Sequence, residues 1–143
     1  MAGLTRLAVT QAVPATAATA ATDAGYALLD VDDTIVEVHG HAKQGAGFGY
    51  SSVRGLNALL ATLAPTTNTG AGAPVIVAQR LRKGACNSAR GAKRLVGDAV
   101  QQARRLLGPQ AGVLVRLDSA FYGRGAVHAA LAAGAPQCRS RSG

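Results

Sequence analysis

Tryptophan is missing from this 143-residue chain and aromatic residues make up only 3% of it, so large rings do not build its interior. Ala, Val and Leu dominate an apolar fraction of 48%, with 18 glycines beside them, a composition suited to closely packed α/β layers. Cysteine is scarce too. Cys86 and Cys138 stand far apart with no CxxC and no Cys/His ligand spacing around them, which excludes a disulfide framework and a zinc cluster and reads as two cytosolic thiols without a chemical task. No apolar run approaches the roughly 20 residues needed to span a bilayer, so no membrane partner is expected. The stretch from Leu4 to Ala24 imitates a signal peptide, but its apolar part, LAVTQAV, is interrupted by Thr10 and Gln11 and ends at Pro14. Secretion is not expected.

Acidic residues are the third shortage. Seven Asp and Glu face fifteen Lys and Arg, a formal charge of +8, and the imbalance is local. Residues 1–79 hold three basic and five acidic side chains, residues 80–143 twelve and two. A basic half of this kind favours a polyanion by phosphate neutralisation and counterion release. Length allows one domain with one core.

Residues 1–25 form an Ala/Thr-rich, low-complexity leader with a composition shift at Asp23-Ala24-Gly25, expected to be disordered. Regular patterning starts at Tyr26 with a strand to about Val38. GAGFGYSS, 45–52, fits a short strand or a turn entering one. RGLNALLATLA, 54–64, is short and mostly apolar, and periodicity assigns it firmly neither to helix nor to strand. A polar loop follows over 65–74, then a strand over PVIVAQRL, 74–81. The clearest helix is expected from an N-cap at Asn87 or Ser88 to Leu107, stopped by Gly108-Pro109. Its apolar back carries Ala89, Ala92, Leu95, Val96, Ala99, Val100, Ala103, Leu106 and Leu107; Arg90, Lys93, Arg94, Arg104 and Arg105 gather in front. Such a front is either a solvated face or a phosphate-contacting one. AGVLVRLD ends a further strand at Asp118, and a turn and helix follow. The tail, 136–143, lacks the apolar pattern of another strand and is expected to be disordered. The order is that of an α/β domain over 26–135 with a long crossover.

Within this pattern YALLDVDDTIVEVHG, 26–40, is anomalous, because acids interrupt a β-branched run. Asp30 and Asp32 share one face, since strand side chains alternate. Buried carboxylates cost several kcal/mol unless paired or bound to a cation, so the cluster suggests a metal site; the alternative is a solvated turn near Asp33. Asp118 lies at the C-terminal end of its own strand, where ligands gather in such sheets. His39 and His41 read as a polar strand exit, and Tyr50 and Tyr122 as packing residues with some capacity to stack on bases.

Four segments in order, LDVDDTIVEVHG, KQGAGFGYSSVRGLNALLAT, APVIVAQRLRKGACNSARGAKRLVGDA and VRLDSAFYG, together resemble the catalytic core of DDE-type insertion-sequence transposases over about Tyr26 to Gly123. The resemblance implies a partial ribonuclease H-like fold, a mixed sheet flanked by helices, in which the first strand lies beside the strand bearing the second carboxylate. It implies cutting and joining of DNA at insertion-sequence ends by two-metal phosphoryl transfer with Mg²⁺ or Mn²⁺. The first carboxylate, in Asp-x-Thr, falls on Asp32 before Thr34, and the second, in Asp-Ser-x-Phe, on Asp118, with Asp30 a lesser metal ligand. Arg80, Arg82, Lys83, Arg90, Lys93 and Arg94 become candidates for the DNA backbone. A cytoplasmic, nucleoid-associated location and a homodimer of the full-length family are further implications. The family's third carboxylate, a Glu well downstream, has no counterpart, for no Asp or Glu follows Asp118. A fragment inactive alone is therefore expected. Asp30-Val31-Asp32-Asp33-Thr34 also resembles the Asp-x-Asp-x-Thr signature of haloacid-dehalogenase-like phosphatases, implying Asp30 as nucleophile and Asp32 as general acid/base with one Mg²⁺. A basic nucleic-acid-binding module without catalysis is the third alternative.

Overall fold

Alternating burial organises the sheet. The computed structural model describes residues 26–40, 42–49, 51–64, 66–67, 70–71, 73–108, 110–121, 123–135 and 137–141; the leader and Tyr50, Tyr122 and His41 lie outside them. In β1 (Tyr26–Glu37), Ala27, Leu29 and Val31 are buried, whereas Leu28 and Asp30 are half-buried and Asp32 is exposed. A two-residue strand, β2 (Gly47–Phe48), pairs with the start of β3 (Arg54–Ala64), where Leu59, Ala61 and Leu63 repeat the alternation. The small hairpin β4 (Thr66–Thr67) and β5 (Gly70–Ala71) follows, then β6 (Val75–Lys83). Helix α1 (Ala92–Leu107) leads to β7 (Gly112–Asp118), and α2 (Arg124–Ala132) to β8 (Gln137–Arg141).

The main sheet runs β6-β3-β1-β7-β8, antiparallel across its first two pairings and parallel across its last two. The fold is mixed α/β: a mixed sheet flanked by two helices. One core joins Leu29, Val31, Leu59, Leu63, Val113, Val115 and Leu117 of the sheet to Leu95, Val96, Val100 and Ala103 of α1 and to Ala126 and Ala130 of α2. Alanines on both sides of this layer let helix and sheet approach closely, and Phe121 is the largest fully buried side chain among the described residues. Leu28, Leu60, Leu114 and Arg116 lie on the opposite face and stay partly accessible.

One open assignment is resolved and two expectations are corrected. The ambiguous segment 54–64 is a strand: its open-face positions Leu56, Ala58 and Leu60 are apolar as well, which masks the period-two signal of a central strand. The helix starts at Ala92 rather than after Asn87 or Ser88. Residues 87–91 make a separate turn, in which Asn87 Oδ1 accepts from the Ala89 amide at 2.9 Å and Gly91 takes φ of 82°. Ala89, assigned to the apolar back, is consequently exposed. Gly108 does end the helix, its amide donating to Arg104 O at 2.9 Å. The second correction concerns the tail, where Gln137–Arg141 pairs in parallel with β7. An edge strand is held through main-chain bonds and needs no apolar alternation.

Candidate metal and nucleic-acid site

The register of β1 against β7 brings the distant acids together. Asp30 is paired with Arg116 and Val31 with Leu117, an offset of 86 residues. The parallel pairing ends there, and Asp32 and Asp118 are the residues that immediately follow this last pair, each on its own strand, with neighbouring strands about 4.8 Å apart. Their shared face is the one the helices leave uncovered, because Leu117 and Val31 between them point into the core. The expectation that the strand bearing the second carboxylate lies beside the first strand is met.

Each of the two carboxylates is fixed through one oxygen. Asp32 Oδ1 accepts from the Asp33 amide at 2.8 Å; Asp118 Oδ1 accepts from the Ser119 amide at 2.6 Å and the Ser119 hydroxyl at 3.3 Å. Oδ2 of each has no hydrogen bond among the described residues. Two carboxylates on the same face of adjacent strands repel one another, and a cation between them would relieve that repulsion. Their donor set suits Mg²⁺, which is commonly bound by one or two carboxylates together with water and substrate phosphate oxygens. No cluster of three or more His, Cys, Asp or Glu occurs among the described residues, and His39 is exposed at the strand exit.

Asp30 has a different environment. Arg116 donates to both its oxygens, Nε at 3.1 Å and Nη2 more closely, and the hydrogen bond to Asp30 holds the Arg116 guanidinium above its ordinary range. The raised value places this contribution wholly below the alkaline range in which arginine deprotonates, so Arg116 itself gives no pH dependence near neutrality. The pair is 38% and 23% exposed, and Arg116→Ala is expected to lower unfolding free energy by about 0.5–1 kcal/mol, read by urea denaturation. A charge-neutralised Asp30 leaves Asp32 and Asp118 as the acids of this face.

The premise that Asp32 is buried does not hold, since its side of β1 is open. The buried acid is Asp33. Its Oδ2 accepts from Asn57 Nδ2 at 2.7 Å and from Arg82 Nη2 at 2.9 Å, with the Arg82 and Asp33 side chains only 8% and 9% exposed. Arg82 Nε donates to Asn57 Oδ1 at 2.9 Å, and Nη1 grips the carbonyls of Asn87, Ser88 and Arg90 at 3.3, 2.7 and 2.7 Å. Sequence reasoning missed this network and gave Arg82 to the DNA backbone, a role its enclosure removes. A signal was present: Asp33 continues the Leu29, Val31 alternation, and Asn57 interrupts an apolar segment.

The remaining cations lie along the β6 exit and the first turns of α1. Arg80 and Arg94 reach Asp98 at 3.6 and 4.0 Å; Lys83, Arg90 and Lys93 are exposed. Arg80, Lys83 and Arg90 line a cleft of about 470 Å³. Arg104, assigned to the basic front, instead donates toward the carbonyls of Ala133 and Gly134 beyond α2, at 3.5 and 3.4 Å. Among the described residues no helix is long and apolar enough to cross a membrane. No family model and no curated protein matches the chain.

Proposed function

We propose that the chain carries the part of a DDE-type insertion-sequence transposase catalytic domain, ribonuclease H-like in fold, that bears the first two carboxylates. Its substrate class is DNA at insertion-sequence ends, and its setting the cytoplasmic nucleoid. The observation that carries this reading is the 86-residue offset between β1 and β7, which aligns the two acids singled out by the resemblance on one accessible face. Asp32 and Asp118 would hold Mg²⁺ or Mn²⁺ through their outward oxygens, and an ion so held supplies charge neutralisation at a phosphodiester and a lowered pKa for bound water. Ser119 and the Asp33 amide keep the carboxylates oriented. Arg116 keeps Asp30 out of that role by neutralising it. Lys83, Arg90, Lys93, Arg80 and Arg94 supply phosphate contacts at the basic side. Asp32 and Asp118 are the two acids offered to the ion here, and a Mg²⁺ held by two carboxylates completes its shell with water and substrate oxygens.

Paramagnetic Mn²⁺ tests the metal site directly. At millimolar concentration it is expected to broaden the amide resonances of Asp32, Asp33, Asp118 and Ser119 selectively, and Asp118→Asn is expected to abolish the effect. Broadening centred elsewhere, or unchanged in the variant, rejects the assignment. For DNA, affinity for a short duplex is expected to fall linearly on logarithmic axes with salt, with a slope of about −0.9 per phosphate contacted. The triple change Arg90→Glu, Lys93→Glu, Arg94→Glu should flatten that slope by about two to three; an unchanged slope places the contacts on another face.

A further inference from the structure

The sequence holds few aromatics, and among the described ones Phe48 is the most exposed. Phe48 in β2 is 65% exposed, although β2 is pinned to β3 by pairing at Arg54 and Gly55. Its ring borders an open depression of about 610 Å³ whose other walls include Ala85, Asn87, Ser88 and Ala120. Ala120 stands two residues beyond Asp118, so one wall of the depression belongs to the turn that leaves the second candidate carboxylate. On its far side the 85–86 turn is shared with the cleft lined by Arg80, Lys83 and Arg90. One continuous surface thus offers an aromatic face, the polar side chains of Asn87 and Ser88, and a row of cations.

We propose that Phe48 is a stacking platform for an unpaired nucleobase of a single-stranded segment lying next to the Asp32 and Asp118 pair. Every base has a π-face, and an accessible ring beside a cationic groove is the arrangement by which single strands are held without sequence readout. A flat ring on a short paired strand has little conformational freedom to lose on binding. Asn87 and Ser88 line the same depression, and they supply the polar groups that would meet the edge of a base. A paired base inside a duplex presents no face to the ring, so the site distinguishes single strands and unpaired ends from duplex. This inference rests on the nucleic-acid reading above.

The absence of tryptophan gives a clean probe. In the full chain carrying Phe48→Trp, the introduced indole is the sole tryptophan. Oligothymidylate is expected to quench its emission, while heparin, a polyanion without bases, binds with no quench. In parallel, Phe48→Ala should weaken oligothymidylate binding about tenfold in fluorescence anisotropy with the salt slope retained, and leave duplex binding unchanged. Oligothymidylate binding without quench, or an equal loss for duplex and single strand in Phe48→Ala, overturns the stacking role while the cationic site stands. Failure of both oligothymidylate and heparin to bind overturns the nucleic-acid reading together with it.

Discussion

Arg82→Ala is expected to destabilise the chain by about 3–5 kcal/mol, because it strands the buried Asp33 carboxylate without its counter-ion. The magnitude follows from enclosure. Exposed ion pairs lose most of their worth to solvent, but Arg82 and Asp33 are 8% and 9% exposed, and salt screens such a pair weakly. The same guanidinium also holds Asn57 and three carbonyls of the 87–90 turn, so its loss frees the approach to α1 from β6. Arg82→Lys is expected to rescue little, since an ammonium offers a compact point charge in place of a planar fork. Urea unfolding of the full chain at low and high salt measures both effects. A loss below about 1 kcal/mol would mean that the pair is solvated in solution. Asp33→Ala should cost a similar amount, and the double variant less than the sum of the two, since each single change leaves the other charge unpaired.

Gly84→Ala is expected to be comparably severe for a steric reason. A methyl group there would stand within 3.0 Å of Gly55 O, Gly47 O and Gly47 N, all main-chain atoms of β2 and β3 that no rotamer change can withdraw. Gly84 follows β6 directly and donates its amide to Gly45 O at 3.1 Å, so the backbone segments meet at one corner. Overpacking of this kind costs about 1–3 kcal/mol where side chains yield, and more where only backbone can move. The expected readout is loss of β2 pairing, seen as rapid amide exchange at Phe48 and Arg54, alongside a lowered unfolding midpoint. Gly97→Ala is the control: a methyl group there meets nothing within 4 Å, and in a helix interior it should raise stability by roughly 0.5–1 kcal/mol. Equal behaviour of the two variants would contradict the corner packing.

Local pattern made β1, β6, β7 and both helices legible, because each contrasts with its flanks. β3 resisted because a central strand with apolar residues on both faces has no period to read. β8 resisted because Arg139 and Arg141 give no sign of the pairing that backbone groups provide. The late start of α1 depended on Arg82, ten residues earlier in sequence, whose donors hold the carbonyls of the preceding turn. At the site, residue types alone singled out Asp30, Asp32 and Asp118, but their fates diverged through partners on other strands: Arg116 for Asp30, none for Oδ2 of Asp32 or Asp118 among the described residues. Phe48 carried no signal, since exposure of a single ring is a property of what fails to cover it.

By itself the sequence determined the alternation of strands and helices, the concentration of positive charge after residue 79 and the fact that Asp30 and Asp32 share a face while Asp33 takes the other. Those follow from local geometry and composition. Which face became the core was decided only by tertiary structure, when α1 and α2 packed on the side of Leu29, Val31 and Asp33. Period two fixes which residues point together, but only the covering layer fixes which of them leave water. That choice buried Asp33 with Arg82, left Asp32 open to solvent, and through the β1/β7 register set it beside Asp118.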